Sequence, residues 1–178
     1  EMRALFTVPE DKVLVGADLS GLELRCLAHY MNDKNYTKEI LTGDIHTANQ
    51  KSAGLDTRDK AKTFIYAFLY GAGDKKIGSI AGGGIAEGKR LKENFLNNTP
   101  ALKKLRQRVS KASDKGYLNA LDGRKVRVRS EHASLNFLLQ SAGAIIAKRA
   151  WDIFHGLAQY EGLKYKQIGV IHDEIQIE

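Results

Sequence analysis

Residues 58–71, RDKAKTFIYAFLYG, restrict the local fold more than any other stretch of the chain. Arg58, Lys62, Tyr66 and Tyr70 recur every four residues, and on an α-helix that spacing stacks two cations and two phenol rings along one face. Asp56 stands where an N-cap is expected, Asp59 suits the first turn, and Gly71 can end the helix in a left-handed turn. At a rise of about 1.5 Å per residue, Arg58 to Lys62 covers roughly 6 Å and Tyr66 lies about another 6 Å along. A triphosphate beside the cations and a sugar and base beside the ring fit that length. A solvated basic face with one packed tyrosine fits it too.

Composition narrows the setting. With 178 residues and 43% hydrophobic content, the chain can bury a core as one domain or two small lobes, which excludes a disordered tail. Lys and Arg number 28 against 21 Asp and Glu, a formal charge of +7 that favours a polyanionic partner such as nucleic acid. Cys26 is the single cysteine, so neither a disulfide framework nor a thiolate zinc centre is expected. No apolar run has membrane-spanning length and the first residues lack a signal-peptide pattern, so a soluble, cytoplasmic protein without a membrane partner is expected. The opening EMRALF and the end within an apolar alternation read as a segment truncated at both ends.

Taken in order, Val13 to Ala17 is a short apolar run that delivers Asp18 to a break at Ser20 and Gly21. A helix with Leu22, Cys26 and Tyr30 on its apolar side follows, carrying Glu23 in its first turn; Asp18 can serve as its cap or face a cleft beside Glu23. His46 by itself carries no metal-site spacing. The glycine-rich passage 71–88 lacks the full Walker pattern and a strand-to-helix context, so helix connections are expected there. Lys89 to Asp114 reads as helical, with Pro100 opening its second half. Tyr117 to Leu121 and Arg124 to Arg129 form a hairpin around Asp122-Gly123, with Lys125, Arg127 and Arg129 on one face. That face suits a phosphate backbone, and equally an edge strand guarded by charge. Ser134 to Tyr160 is a long amphipathic helix whose buried stripe is read as Leu135, Leu138, Leu139, Ala142, Ile145 and Ile146, with Asn136 and Gln140 one turn apart. Ile168 to Ile171 and Ile175 to Ile177 flank His172, Asp173 and Glu174 in a second hairpin.

Three separated signatures, DLSGLELR at 18–25, RDKAKTFIYAFLYG at 58–71 and HDE at 172–174, together with GDIHT at 43–47, LDGR at 121–124 and LLQSAGA at 138–144, resemble family A DNA polymerases. The wording of the whole chain is most similar to the replicative enzymes of short-tailed phages. The resemblance implies an α+β fold: a right-hand polymerase palm, with a small antiparallel sheet and helices, and a helical fingers subdomain. Residues 1–30 would be palm, 31–109 mainly helical fingers, and 110–178 palm again. The implied reaction is template-directed addition of deoxynucleotides to a primer 3′-hydroxyl with pyrophosphate release, on two Mg²⁺ ions.

The same resemblance implies residue roles. Asp18 and Asp173, with the carbonyl of Leu19, would hold the metals, while the role of Glu174 stays open. Arg58 and Lys62 would meet the triphosphate, Lys62 as the acid to pyrophosphate, with His46 also near the phosphates. Tyr66 would lie beside the sugar, Tyr70 over the templating pair, and Glu23 against the sugar 2′ position. Arg124, Asn136, Gln140 and His172 would contact primer-template DNA. A processivity factor is expected to act on a full-length enzyme rather than on this segment. If the source is a phage, the host cytoplasm is the expected location. The link from Ser110 to Leu121 is shorter than in the phage replicative enzymes.

Overall fold

Strand β1, Val15–Asp18, pairs antiparallel with β5, Glu174–Ile177, which pairs in turn with β4, Gln167–Ile171, in the order β1-β5-β4. This computed structural model describes residues 7–178, without the side chain of Glu131. By its internal contacts the chain forms two units: one from the segment ending at Leu22 together with Ala142–Glu178, the other from Glu23–Ser141.

In the first unit the register sets Val15 against Ile177, Gly16 against Gln176, Ala17 against Ile175 and Asp18 against Glu174. Side chains alternate along a strand, so Gly16, Asp18, Glu174 and Gln176 share one face and Ala17 and Ile175 the other. Ile175 is buried, and the polar face carries the acids. A Cβ on Gly16 would lie 2.9 Å from Gln176 Nε2 and 3.0 Å from Glu174 Oε1, both mobile side-chain ends on the same face. His172 and Asp173 form a two-residue turn between β4 and β5, with His172 in the left-handed region at φ 58°.

Helix α8, Ser134–Tyr160, has the expected bounds, and its part from residue 142 onward belongs to this unit. Its buried stripe departs from expectation in this second part. Ala142, Ala147 and Ala158 are buried, whereas Ile145 is half-buried and Ile146 is 38% exposed. Periodicity identifies the apolar side of a helix but not how far its neighbours reach. Residues 142–160 extend about 28 Å, and strands of four or five residues span only about 13–17 Å.

The second unit begins with α1, Leu22–Met31, from Glu23 onward, followed by α2, Lys34–Thr42, and α3, Ile45–Ala53. Helix α4, Arg58–Leu69, buries Ala61, Phe64, Ile65, Phe68 and Leu69 and leaves Arg58 and Lys62 on the opposite, exposed side. Its cap is Thr57, whose Oγ1 accepts from the Lys60 N–H at 3.3 Å, not Asp56. Asp56 instead pairs with Lys60 at 2.7 Å. One residue of offset decides this, because Thr57 is the last residue with extended backbone before the helix. At the other end Gly71 has φ 75°, its N–H donates to Phe68 and that of Ala72 to Ala67, a Schellman closure that needs the left-handed residue.

Phe64, Phe68 and Phe95 form the centre of this unit's core. Phe95 meets both other rings edge-on with centroids 5.3 Å apart. Phe95 comes from α6, Ile85–Asn98, which crosses α5, Asp74–Ile80. The glycines of this passage serve that crossing: a Cβ on Gly78 would stand 1.9 Å from the Gly84 carbonyl oxygen, and one on Gly88 1.9 Å from that of Asp74. Pro100 opens α7, Pro100–Ser113, at its first turn. The hairpin of β2, Tyr117–Asn119, and β3, Lys125–Arg127, is shorter than the pattern suggested. Lys125 and Arg127 are exposed on it, and the Lys125 ammonium lies 4.7 Å from the Tyr117 ring centre. Among the described residues no helix is long and apolar enough to cross a membrane.

Candidate functional site

The first unit brings together the acids from the two ends of the chain. Asp18, exposed at the end of β1, stands opposite Glu174, and such pairs hold their Cβ atoms about 4.5–5.5 Å apart. One step further, the Leu19 N–H donates to the Asp173 carbonyl at 3.2 Å, so the half-buried turn residue Asp173 is held beside the residue after Asp18. The Leu22 N–H donates to the Leu19 carbonyl at 3.2 Å.

The Glu174 carboxylate accepts a hydrogen bond from the Gln176 amide. Among the described residues the carboxylates of Asp18 and Asp173 have neither an ion pair nor a hydrogen-bond partner, which leaves two hard oxygen donor groups uncommitted. Mg²⁺ is ordinarily held by one or two carboxylates, waters and substrate phosphates rather than by an all-protein cage. Among the described residues no group of three or more His, Cys, Asp or Glu stands together as a metal cage. Two uncommitted carboxylates are hard oxygen donors of the kind Mg²⁺ takes. His172, exposed and non-glycine at positive φ, carries a backbone cost on the order of 1–3 kcal/mol, the kind of strain that collects at functional sites.

The second unit holds the other predicted residues, in two clusters and several single positions. Tyr70, the C-cap of α4, donates through its hydroxyl to Glu23 Oε1 at 2.6 Å. The Gln140 amide donates to the same oxygen and lies 3.3 Å from the Tyr70 hydroxyl. Three elements thus converge on one carboxylate. Desolvation, then the Glu23 carboxylate, push the Tyr70 phenol up to about 12. Spacing could not have announced this contact, since Glu23 and Gln140 lie far from Tyr70 in the chain.

Arg58 belongs to the second cluster. Its Nε donates to Asp44 Oδ2 at 2.6 Å and its Nη2 to Oδ1 at 3.2 Å. Asp44 also caps α3, accepting from the N–H groups of His46 and Thr47. Arg58, with Thr47 next, holds the Asp44 carboxyl well below the usual carboxylate range. The His46 ring is half-buried, 6.4 Å from the Tyr66 ring, with Nδ1 buried and unpartnered. Burial, and then the charge of Arg58, lower its pKa from the ordinary imidazole value.

Lys62 is exposed, with no ion-pair or hydrogen-bond partner among the described residues, and Tyr66 is half-buried one turn on. Arg124 is ion-paired to Asp122 in the hairpin turn. Asn136 sits half-buried on α8 one turn before Gln140. Sequence reasoning missed Asp44 and Gln176. The cap rule could have found Asp44 as the start of α3 but not as the partner of Arg58, and nothing local marks Gln176.

Comparison with known proteins identifies the family and the fold. The sequence model of DNA polymerase family A matches residues 1–178. The DNA-directed DNA polymerase of Enterobacteria phage T3 is 50% identical to the chain over 190 aligned positions, which take in 93% of this chain and 27% of that protein. That of Escherichia phage T7 is 49% identical over the same shares. The chain thus spans about a quarter of these relatives. Among solved structures, the POL domain of Pol1 from M. smegmatis, in complex with DNA primer-template and dNTP, superimposes with a TM-score of 0.83 at 24% identity. The match covers 97% of this chain and 35% of the other, and establishes a common α+β fold of helices and small antiparallel sheets. The chain belongs to DNA polymerase family A.

Proposed function

We propose that this chain carries the catalytic centre of a template-directed DNA polymerase, which adds a deoxynucleotide to a primer 3′-hydroxyl and releases pyrophosphate. The observation that carries the reading is the register that sets Asp18 beside the HDE turn, with two uncommitted carboxylates at the junction of β1 and β5. Family membership and the T3 and T7 relatives support it.

In this reading Asp18, Asp173 and the Leu19 carbonyl would hold two Mg²⁺ ions. When bound, these would activate the primer hydroxyl and offset charge on the leaving pyrophosphate. Arg58 and Lys62 orient the triphosphate, and Lys62, unpaired among the described residues, gives its proton to the departing pyrophosphate oxygen. His46 contacts the same phosphates. Tyr66 supports the sugar, and Tyr70 closes over the templating pair. Glu23, fixed by Tyr70 and Gln140, forms a wall that a 2′-hydroxyl would strike, which favours deoxynucleotides over ribonucleotides. Arg124, Asn136, Gln140 and His172 follow the shape of the primer-template duplex rather than its sequence.

Residues 1–30 and 110–178 are assigned to the palm and 31–109 to the fingers. The enzyme works where its template is, in the cytoplasm, that of the host if the source is a phage, on primer-template DNA and deoxynucleoside triphosphates. Any processivity partner would act on the full-length protein. The test is primer extension by the full-length polymerase that carries this chain. Asp18→Ala is expected to abolish extension with DNA binding retained, and undiminished extension would sink the proposal.

A further inference from the structure

We propose that Asp44 is a positioning residue for the incoming nucleotide, holding the Arg58 guanidinium and the start of α3 in one fixed relation; the inference rests on the polymerase reading above. Five hydrogen bonds end on this one exposed carboxylate. Oδ1 accepts from the main-chain N–H groups of His46 at 3.1 Å and Thr47 at 3.4 Å and from Arg58 Nη2 at 3.2 Å. Oδ2 accepts from Thr47 Oγ1 at 2.8 Å and Arg58 Nε at 2.6 Å.

A guanidinium has five N–H donors in a rigid plane. Asp44 occupies the side formed by Nε and one hydrogen of Nη2. The remaining three donors stay available for an oxyanion. The contact therefore orients Arg58 without consuming its capacity to bind phosphate, and it removes much of the rotamer freedom that a long exposed side chain would otherwise lose when substrate binds. Because the same carboxylate caps α3, it also places His46, whose ring lies near that of Tyr66. Two of the residues assigned to the triphosphate are thereby referred to one group outside the stripe 58-62-66-70.

Asp44→Asn separates the two duties. Asparagine retains the capping oxygen but cannot offer a second acceptor, or a charge, to the fork of Arg58. In single-nucleotide incorporation by the full-length polymerase, D44N is expected to raise the KM for the nucleotide about tenfold while kcat changes less than about threefold. In an Arg58→Ala background it should add no further increase, because it acts through that side chain. An unchanged or lowered KM, or the same increase without Arg58, would overturn the proposal. Should D44N fail to fold, Asp44→Ser reads the same quantity, since serine keeps a capping oxygen but offers the fork of Arg58 no carboxylate. A comparable KM increase supports the positioning role and an unchanged one overturns it. A wild-type protein that extends no primer would overturn the polymerase reading itself; one that extends primers normally with D44N overturns the positioning role alone.

Discussion

The Leu19 N–H and the Asp173 carbonyl are joined over 3.2 Å, immediately beyond the pairing of Asp18 with Glu174. The β1–β5 ladder and this hydrogen bond together place the HDE turn at the end of β1. The three acids there are not equivalent, because Glu174 is engaged by Gln176 while Asp18 and Asp173 have no protein partner among the described residues.

That inequality predicts unequal losses. Asp173→Asn should lower the single-turnover extension rate by about a thousandfold, as expected for a charge acting directly on the transition state. Glu174→Gln should cost about tenfold, because a side chain already committed to another protein group acts at one remove. Rapid-quench incorporation on primer-template DNA measures both. Equal losses would mean that Glu174 takes part as directly as Asp173.

Tyr70→Phe removes one of the two donors on Glu23 and leaves Gln140. Glu23 then gains freedom, and discrimination against ribonucleotides is expected to fall about threefold to tenfold, read as the ratio of kcat/KM for the two sugars. The hydroxyl also sets a pH dependence. The phenol is raised to about 12, so between pH 10 and 12 an unfolded Tyr70 is ionised while the folded one keeps its proton. Stability contributed by this group is thus complete below pH 10 and falls as pH rises through that window. In the Tyr70→Phe variant that part of the alkaline slope in thermal melts should be missing.

Cys26 is buried in α1, and desolvation, then the charge of Glu23, raise its thiol from the ordinary 9.0 to about 11. The thiolate is the nucleophile, so native Cys26 should resist alkylation at pH 8.5, and urea should expose it to modification at an ordinary rate. By the same sign rule, its contribution to stability is lost between pH 9 and 11. Mass spectrometry after iodoacetamide treatment gives the answer, and fast native labelling would show that α1 opens.

Two core variants probe the second unit. Phe95→Ala empties the centre of the three-ring cluster and should cost about 3–5 kcal/mol, as large aromatic truncations do. Gly88→Ala adds one carbon where the Asp74 carbonyl oxygen stands 1.9 Å away. Backbone cannot yield as a side-chain end can, so a loss of at least about 2 kcal/mol is expected despite the gain in helix propensity. Differential scanning of the variants reads both losses. A neutral Gly88→Ala would show that α5 and α6 can move apart.

Periodicity and cap chemistry were enough to place α4, α8 and the two hairpins, because helix spacing, turn residues and alternation are local properties that leave a local trace. The same rules named the stripe Arg58, Lys62, Tyr66 and Tyr70, and the structure leaves Arg58, Lys62 and Tyr70 exposed with Tyr66 half-buried. Local rules erred by one residue at the α4 cap, where Thr57 and Asp56 both have capping side chains and only backbone conformation chooses between them. They also overestimated the buried length of α8, since Ile146 carries the right period and is still exposed.

What the amino-acid order determined by itself is the strongly periodic elements, α4, α8 and the two hairpins, and the family, since both rest on short-range spacing and on the residues themselves. By contrast α5, Asp74–Ile80, is a helix inside the glycine-rich passage read as helix connections, because glycine there serves close packing rather than a loop. Tertiary structure alone decided the partnerships: Glu174 opposite Asp18, Tyr70 and Gln140 on Glu23, Arg58 on Asp44, and glycines pressed against carbonyls where α5 crosses α6. Apart from Gly78 against the Gly84 carbonyl, these join residues too far apart in the chain for local periodicity to register, and each depends on a backbone path that only the packed fold defines.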